Sequence, residues 1–135
     1  MLLSAVGLLA VSCAEIKTSQ CRQIVEITRN IADKAQVLSN SGQTQDPQQV
    51  LQVADAFEEA AQEMKAIPLQ DEQLVEYQSG YAQLYLGYSQ ATRHFIAALG
   101  EKEIEVLKQS QQELQRLGQK ERQLGNAIND YCQQP

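Results

Sequence analysis

Behind residue 13, apolar residues recur at intervals of three and four, and no stretch alternates as a half-buried strand would. Cys21, Ile24, Ile27, Ile31, Ala35 and Leu38 make one helical face, predicting a helix over about residues 14–39. Ser39-Asn40-Ser41-Gly42 then supplies turn formers. Asp46-Pro47 opens a second helix, 47–66, with a capping carboxylate, proline at the first helical position and Gln49 where a capping box needs it. Its apolar face is Val50, Val53, Ala54, Phe57, Ala60, Ala61, Met64 and Ile67, and Pro68 closes it by forcing the preceding residue out of the helical region. A third helix, 70–99, starts at acidic Asp71 and Glu72 and carries Leu74, Tyr77, Tyr81, Leu84, Tyr88, Phe95 and Leu99 on one face. Gly100 is the expected break. The fourth, 101–132, starts with Glu101, Glu103 and Glu105 and carries Ile104, Leu107, Leu114, Leu117, Leu124, Ile128 and Tyr131. Without a turn at Gly100 the last two would fuse into one helix of roughly 60 residues, exceptional for a single domain.

Short connections make consecutive helices antiparallel. The fold class is therefore all-α, an up-down-up-down four-helix bundle in one domain over 13–135. That topology demands that the start of the first helix and the end of the fourth share one end. Cys21 and Cys132 occupy those two places.

Composition narrows the function. Of 135 residues 22 are glutamine, a good helix former without charge, so the surface is polar and helix-compatible. The net charge of −6 argues against nucleic acid, whose phosphates need clustered Lys and Arg. The acid is concentrated in residues 46–92, with eight Asp or Glu and one Lys. There Asp55, Glu59 and Glu63 fall on one helical stripe that could meet a basic partner; the plainer reading is a solvated face.

The catalytic inventory is thin, and no enzyme is expected. One histidine, His94, excludes paired Glu-x-x-His di-iron ligation. A haem held by Met64 and His94 fails because antiparallel helices place them at opposite ends, roughly 30 Å apart. The chain has no Cys-x-x-Cys pair. No cofactor and no metal are expected. The best candidate surface is the third helix, where Tyr77, Tyr81, Tyr85 and Tyr88 fall within twelve residues. Gly80, Gly87, Ala91 and Ala98 form a small-residue stripe on a different face. Either the tyrosines present an aromatic patch to a partner, or they are core while the small stripe seats a neighbouring helix.

Residues 2–12 read Leu-Leu-Ser-Ala-Val-Gly-Leu-Leu-Ala-Val-Ser, too short to span a bilayer and suited to the apolar region of a signal peptide. Leu9-Ala10-Val11-Ser12-Cys13 resembles the lipobox of small bacterial lipoproteins. In pattern the chain is similar to uncharacterised cyanobacterial helical-bundle lipoproteins, and it shares its expected architecture with the lipid-anchored four-helix accessory proteins of photosystem II. The resemblance implies removal of residues 1–12 and acylation of Cys13, with diacylglycerol and palmitate-type chains. It also implies a membrane-tethered protein facing the periplasm or a thylakoid lumen. If Cys13 carries lipid, Cys21 and Cys132 remain as an even pair that an oxidising compartment can bridge; otherwise they are two buried thiols. The function expected is a non-enzymatic interaction or accessory module of a membrane-associated complex, with a protein partner. The alternative is a carrier that holds a small apolar ligand between its helices.

Overall fold

The computed structural model describes residues 7–134, with side chains from Glu15 onward. Four helices follow one another: α1 (Gly7–Leu38), α2 (Pro47–Ala66), α3 (Glu72–Glu101) and α4 (Ile104–Gln133). Among the described residues there is no strand.

Local chemistry accounts for the ends. After α1, Asn40, Ser41 and Gly42 all take left-handed φ values of 50°, 56° and 79°. The reversal lets the Ser41 amide donate to the Gln36 carbonyl at 2.8 Å, satisfying a carbonyl left over at the helix end. At the start of α2, Asp46 Oδ1 accepts from the Gln48 amide at 2.9 Å, and Pro47 needs no partner. The predicted capping box is modified. Gln49 meets the Thr44 hydroxyl, and that hydroxyl accepts from the Asp46 amide at 3.3 Å. Ile67 is extended ahead of Pro68, as expected. The last carbonyls of α2 are closed from outside the helix, because Gln78 Nε2 donates to Met64 O at 2.7 Å and Ile67 O at 2.9 Å.

The expected break at Gly100 is corrected by two residues. Helix α3 runs through Gly100, and Lys102 takes the left-handed conformation at φ 59°. The Glu103 amide then donates to Ala98 O at 2.9 Å. A non-glycine residue in this region costs roughly 1–2 kcal/mol. Packing against α4 offsets it, since the turn must fall where the two long helices keep their register.

That register is a reciprocal interlock. A Cβ at Gly80 would lie 3.0 Å from Leu124 Cδ2, and one at Gly87 only 2.9 Å from Leu117 Cδ2. In return, Gly125 and Gly118 on α4 lie opposite the hydroxyls of Tyr81 and Tyr88. Glycine on each helix therefore admits a large side chain from the other, at seven-residue spacing, as knobs enter holes. Helix α2 packs between α3 and α1 and buries Ala54, Ala56, Ala60 and Ala61, small residues that allow close approach, together with Met64. Ile24 and Ile31 of α1 complete the core with Leu74, Leu84, Leu117 and Ile128. Helix α1 lies along α2 and meets α4 chiefly around Cys21 and Cys132.

Candidate functional site

The densest polar arrangement ties α1, the start of α3 and α4 together at the cysteine end. Cys21 and Cys132 are joined with a Cα–Cα distance of 6.1 Å, so the up-down-up-down arrangement brings them together. One residue earlier, Gln20 is buried, and its Oε1 accepts from the amides of Gln70 at 3.1 Å and Asp71 at 3.3 Å. Asp71 caps α3 with Oδ1, accepting from Gln73 N at 2.9 Å and Leu74 N at 3.1 Å. Its Oδ2 accepts from the Tyr131 hydroxyl at 2.7 Å. Lys17 lies 4.1 Å above the Tyr131 ring and donates to Gln134 O at 3.2 Å. The Tyr77 ring meets Tyr131 edge-on at 6.0 Å.

Burial pushes the Asp71 carboxyl up. The Tyr131 hydroxyl, the Leu74 and Gln73 amides and the Lys17 charge outweigh it, and the net effect is a lowered pKa. Its stabilising contribution is therefore fully present above the ordinary value of 3.8 and is lost as pH falls through the lower folded value. Asp71→Ala should cost about 1–2 kcal/mol at pH 7 by loss of the cap. The gap between variant and parent should narrow in urea unfolding as pH falls below the ordinary value of 3.8; a gap constant with pH would show that the charge contributes nothing.

The tyrosines lie between helices. Tyr81 and Tyr85 are buried, while Tyr77 and Tyr88 are half-buried. Phe57 of α2 sits 5.8 Å from the Tyr85 ring and 5.0 Å from the Tyr88 ring, and Tyr81 lies 5.8 Å from Tyr85. The Tyr88 hydroxyl donates to Glu121 Oε2 at 2.6 Å. Burial, with the Glu121 charge adding, pushes the Tyr81 phenol up to about 12. Tyr85 is raised by burial and by its neighbours Tyr81, Glu121 and Tyr88. Tyr88 is raised by burial and by its bond to Glu121. These phenols stay neutral at any physiological pH, suited to packing and donating rather than to acid–base work. The small-residue stripe on α3 seats α4, through Gly80 and Gly87.

The acidic stripe does not present one face. Asp55 turns to α3, pairing with Arg93 at 2.8 Å, and Glu58 shares that arginine at 2.6 Å. Glu59 turns to α1 and pairs with Lys34 at 3.0 Å, while Glu63 borders the open α1–α2 groove beside them. Such exposed pairs contribute little stability each. His94 is exposed, in an α3–α4 groove of about 320 Å³ with Ser110 and Glu113, and Met64 is buried beside Gln78. The signal-peptide reading falls on residues 1–12 and the lipidation reading on Cys13; residues 1–6 and the side chains through Ala14, Cys13 included, lie outside the described residues.

Three residues of this arrangement, Gln20, Gln78 and Glu121, had no reading in the sequence. Gln20 and Gln78 close helix ends on other helices, and nothing separates them from the remaining glutamines. Glu121 takes the slot between Leu114 and Ile128 in the seven-residue series Leu107, Leu114, Glu121, Ile128, a visible interruption. The pairs Gly80-Tyr81 and Gly87-Tyr88, against Leu117-Gly118 and Leu124-Gly125, were a legible signal of the interlock.

Among the described residues, no group of three His, Cys, Asp or Glu side chains is placed to hold a metal ion. Among them too, no helix is long and apolar enough to cross a membrane. Comparison with protein families, with characterised proteins and with solved structures gives no match.

Proposed function

We propose that the chain is a lipid-anchored, extracytoplasmic helical bundle that serves as a non-enzymatic interaction module of a membrane-associated complex. The observation that carries this reading is the Cys21–Cys132 bridge, which persists in oxidising compartments outside the cytosol. It leaves Cys13 as the odd cysteine, directly behind the lipobox-like Leu9-Ala10-Val11-Ser12. Helix α1 is continuous from Gly7 to the bridge, so an acyl group on Cys13 would sit about 12 Å from the clasped end. The opposite end, formed by the α3–α4 turn, then stands away from the anchor on helices about 45 Å long.

Expression with and without Cys13→Ala tests it. The parent should partition to membranes with the mass of an acylated, trimmed chain, and the variant should remain unmodified and leave the membrane fraction. Identical mass changes and partitioning in both would refute the anchor.

A further inference from the structure

The face of α3 that is turned inward loses its cover toward the far end of the bundle. Tyr85, Thr92 and Leu99 lie seven residues apart on one line of the helix. Tyr85 is 1% exposed, Thr92 is half-buried and Leu99 is 49% exposed. Phe95, one turn before Leu99, is half-buried. Helix α4 repeats the gradient: Ile128 is buried, Leu114 and Leu107 are half-buried, and Ile104 is 65% exposed.

Unequal helix length explains this. Helix α1 stops at Leu38, and α2 begins only at Pro47. Phe57 of α2 lies opposite Tyr85 and Tyr88, so antiparallel register carries Pro47 to roughly residue 96 of α3. The last turn of α3 and the first of α4 stand beyond both other helices.

The charge at this tip is also unresolved internally. Glu105 has Lys108 at 3.8 Å. Glu101 and Glu103 flank Lys102, all three exposed, and the neighbouring Glu101 carboxyl pushes that of Glu103 up. Among the described residues no cation forms an ion pair with either. Two exposed carboxylates without an ion-pair partner favour an incoming positive charge.

We propose that the α3–α4 tip docks an amphipathic helix of a partner protein, which sets apolar residues against Phe95, Leu99, Ile104 and Leu107 and a lysine or arginine against Glu101 and Glu103. The proposal rests on the interaction-module reading and deepens it by naming the partner's chemistry. The tip continues the stripe on which the bundle's own helices pack, so an added helix meets ridges and grooves already shaped for one. A second copy carries the same excess of acid at its tip, Glu101, Glu103 and Glu105 against Lys102, and an anionic membrane would repel it.

The test uses the full chain and a fluorescent leucine/lysine peptide about four turns long, helical with one apolar face. A scrambled peptide of equal composition and charge is the control. Anisotropy should show saturable binding of the first and binding at least about tenfold weaker of the second. Leu99→Ser with Ile104→Ser, and separately Glu101→Gln with Glu103→Gln, should each weaken binding about tenfold or more, equivalent to about 1.4 kcal/mol. All four positions are exposed, and the glutamine pair removes charge without touching the packing. Equal binding by parent and variants would overturn the proposal. So would dimerisation of the parent abolished by Leu99→Ser, which assigns the tip to a second copy, or binding to phosphatidylglycerol vesicles lost on the same change. Lost peptide binding with membrane attachment intact rejects the tip alone; lost attachment with binding intact rejects the anchor alone.

Discussion

Replacing Cys21 and Cys132 with alanine should lower the unfolding temperature by about 10 °C or more. The bridge spans a sequence separation of 111, and closing a loop of that size removes enough unfolded-state entropy for roughly 4–5 kcal/mol. The loss should not be uniform. Among the described residues, α1 buries only Cys21, Ile24 and Ile31 as apolar side chains, whereas α3 buries Leu74, Tyr81, Leu84 and Tyr85 besides its alanines. Without the bridge, α1 keeps its contacts with α2 and the Gln20 hydrogen bonds but loses its covalent tie to α4. Hydrogen exchange should therefore rise first over residues 21–38, with α3 protected much longer. Simultaneous loss of protection in all four helices would show that α1 is as firmly held as the rest.

Gly87→Leu should damage the α3–α4 interface severely, at about 2–3 kcal/mol. Even a Cβ at this position would approach Leu117 Cδ2 to 2.9 Å, so a full leucine must force the helices apart or drive Leu117 from its notch. Leu117→Ala should also destabilise, by about 2–5 kcal/mol, because a buried side chain leaves a cavity. The informative combination is Gly87→Ala on the Leu117→Ala background. There the new methyl has room, and removing a mid-helix glycine should restore about 1 kcal/mol. Chemical denaturation of the four chains in the cycle Gly87→Ala, Leu117→Ala measures the coupling; strict additivity would mean that the two positions do not share space.

Much of the architecture was legible because it is local. The helix spacing of Ile24, Ile27 and Ile31, the cap at Asp46-Pro47 and the stop before Pro68 all act within a few residues, and the structure keeps them. Placing Cys21 and Cys132 together needed only helix count and alternating direction. The turn at Gly100 was misplaced because glycine permits a left-handed residue without requiring one. Lys102 takes that role once α4 must seat Leu117 and Leu124 in the notches of α3.

Function-bearing details were less legible. Asp55, Glu59 and Glu63 share a stripe in the sequence, yet Arg93 draws one toward α3 and Lys34 another toward α1. Four clustered tyrosines suggested an aromatic patch or a core, and periodicity cannot choose between them.

The sequence by itself determined four helices, their directions and the end at which the cysteines meet, since each follows from spacing along one helix or from short connections. Tertiary structure decided which tyrosines are covered, which acids are neutralised and where the apolar stripe runs out uncovered. Those outcomes depend on which residues of one helix stand opposite which residues of another, and on where α1 and α2 stop relative to the longer α3 and α4. Periodicity within a helix carries no information about either.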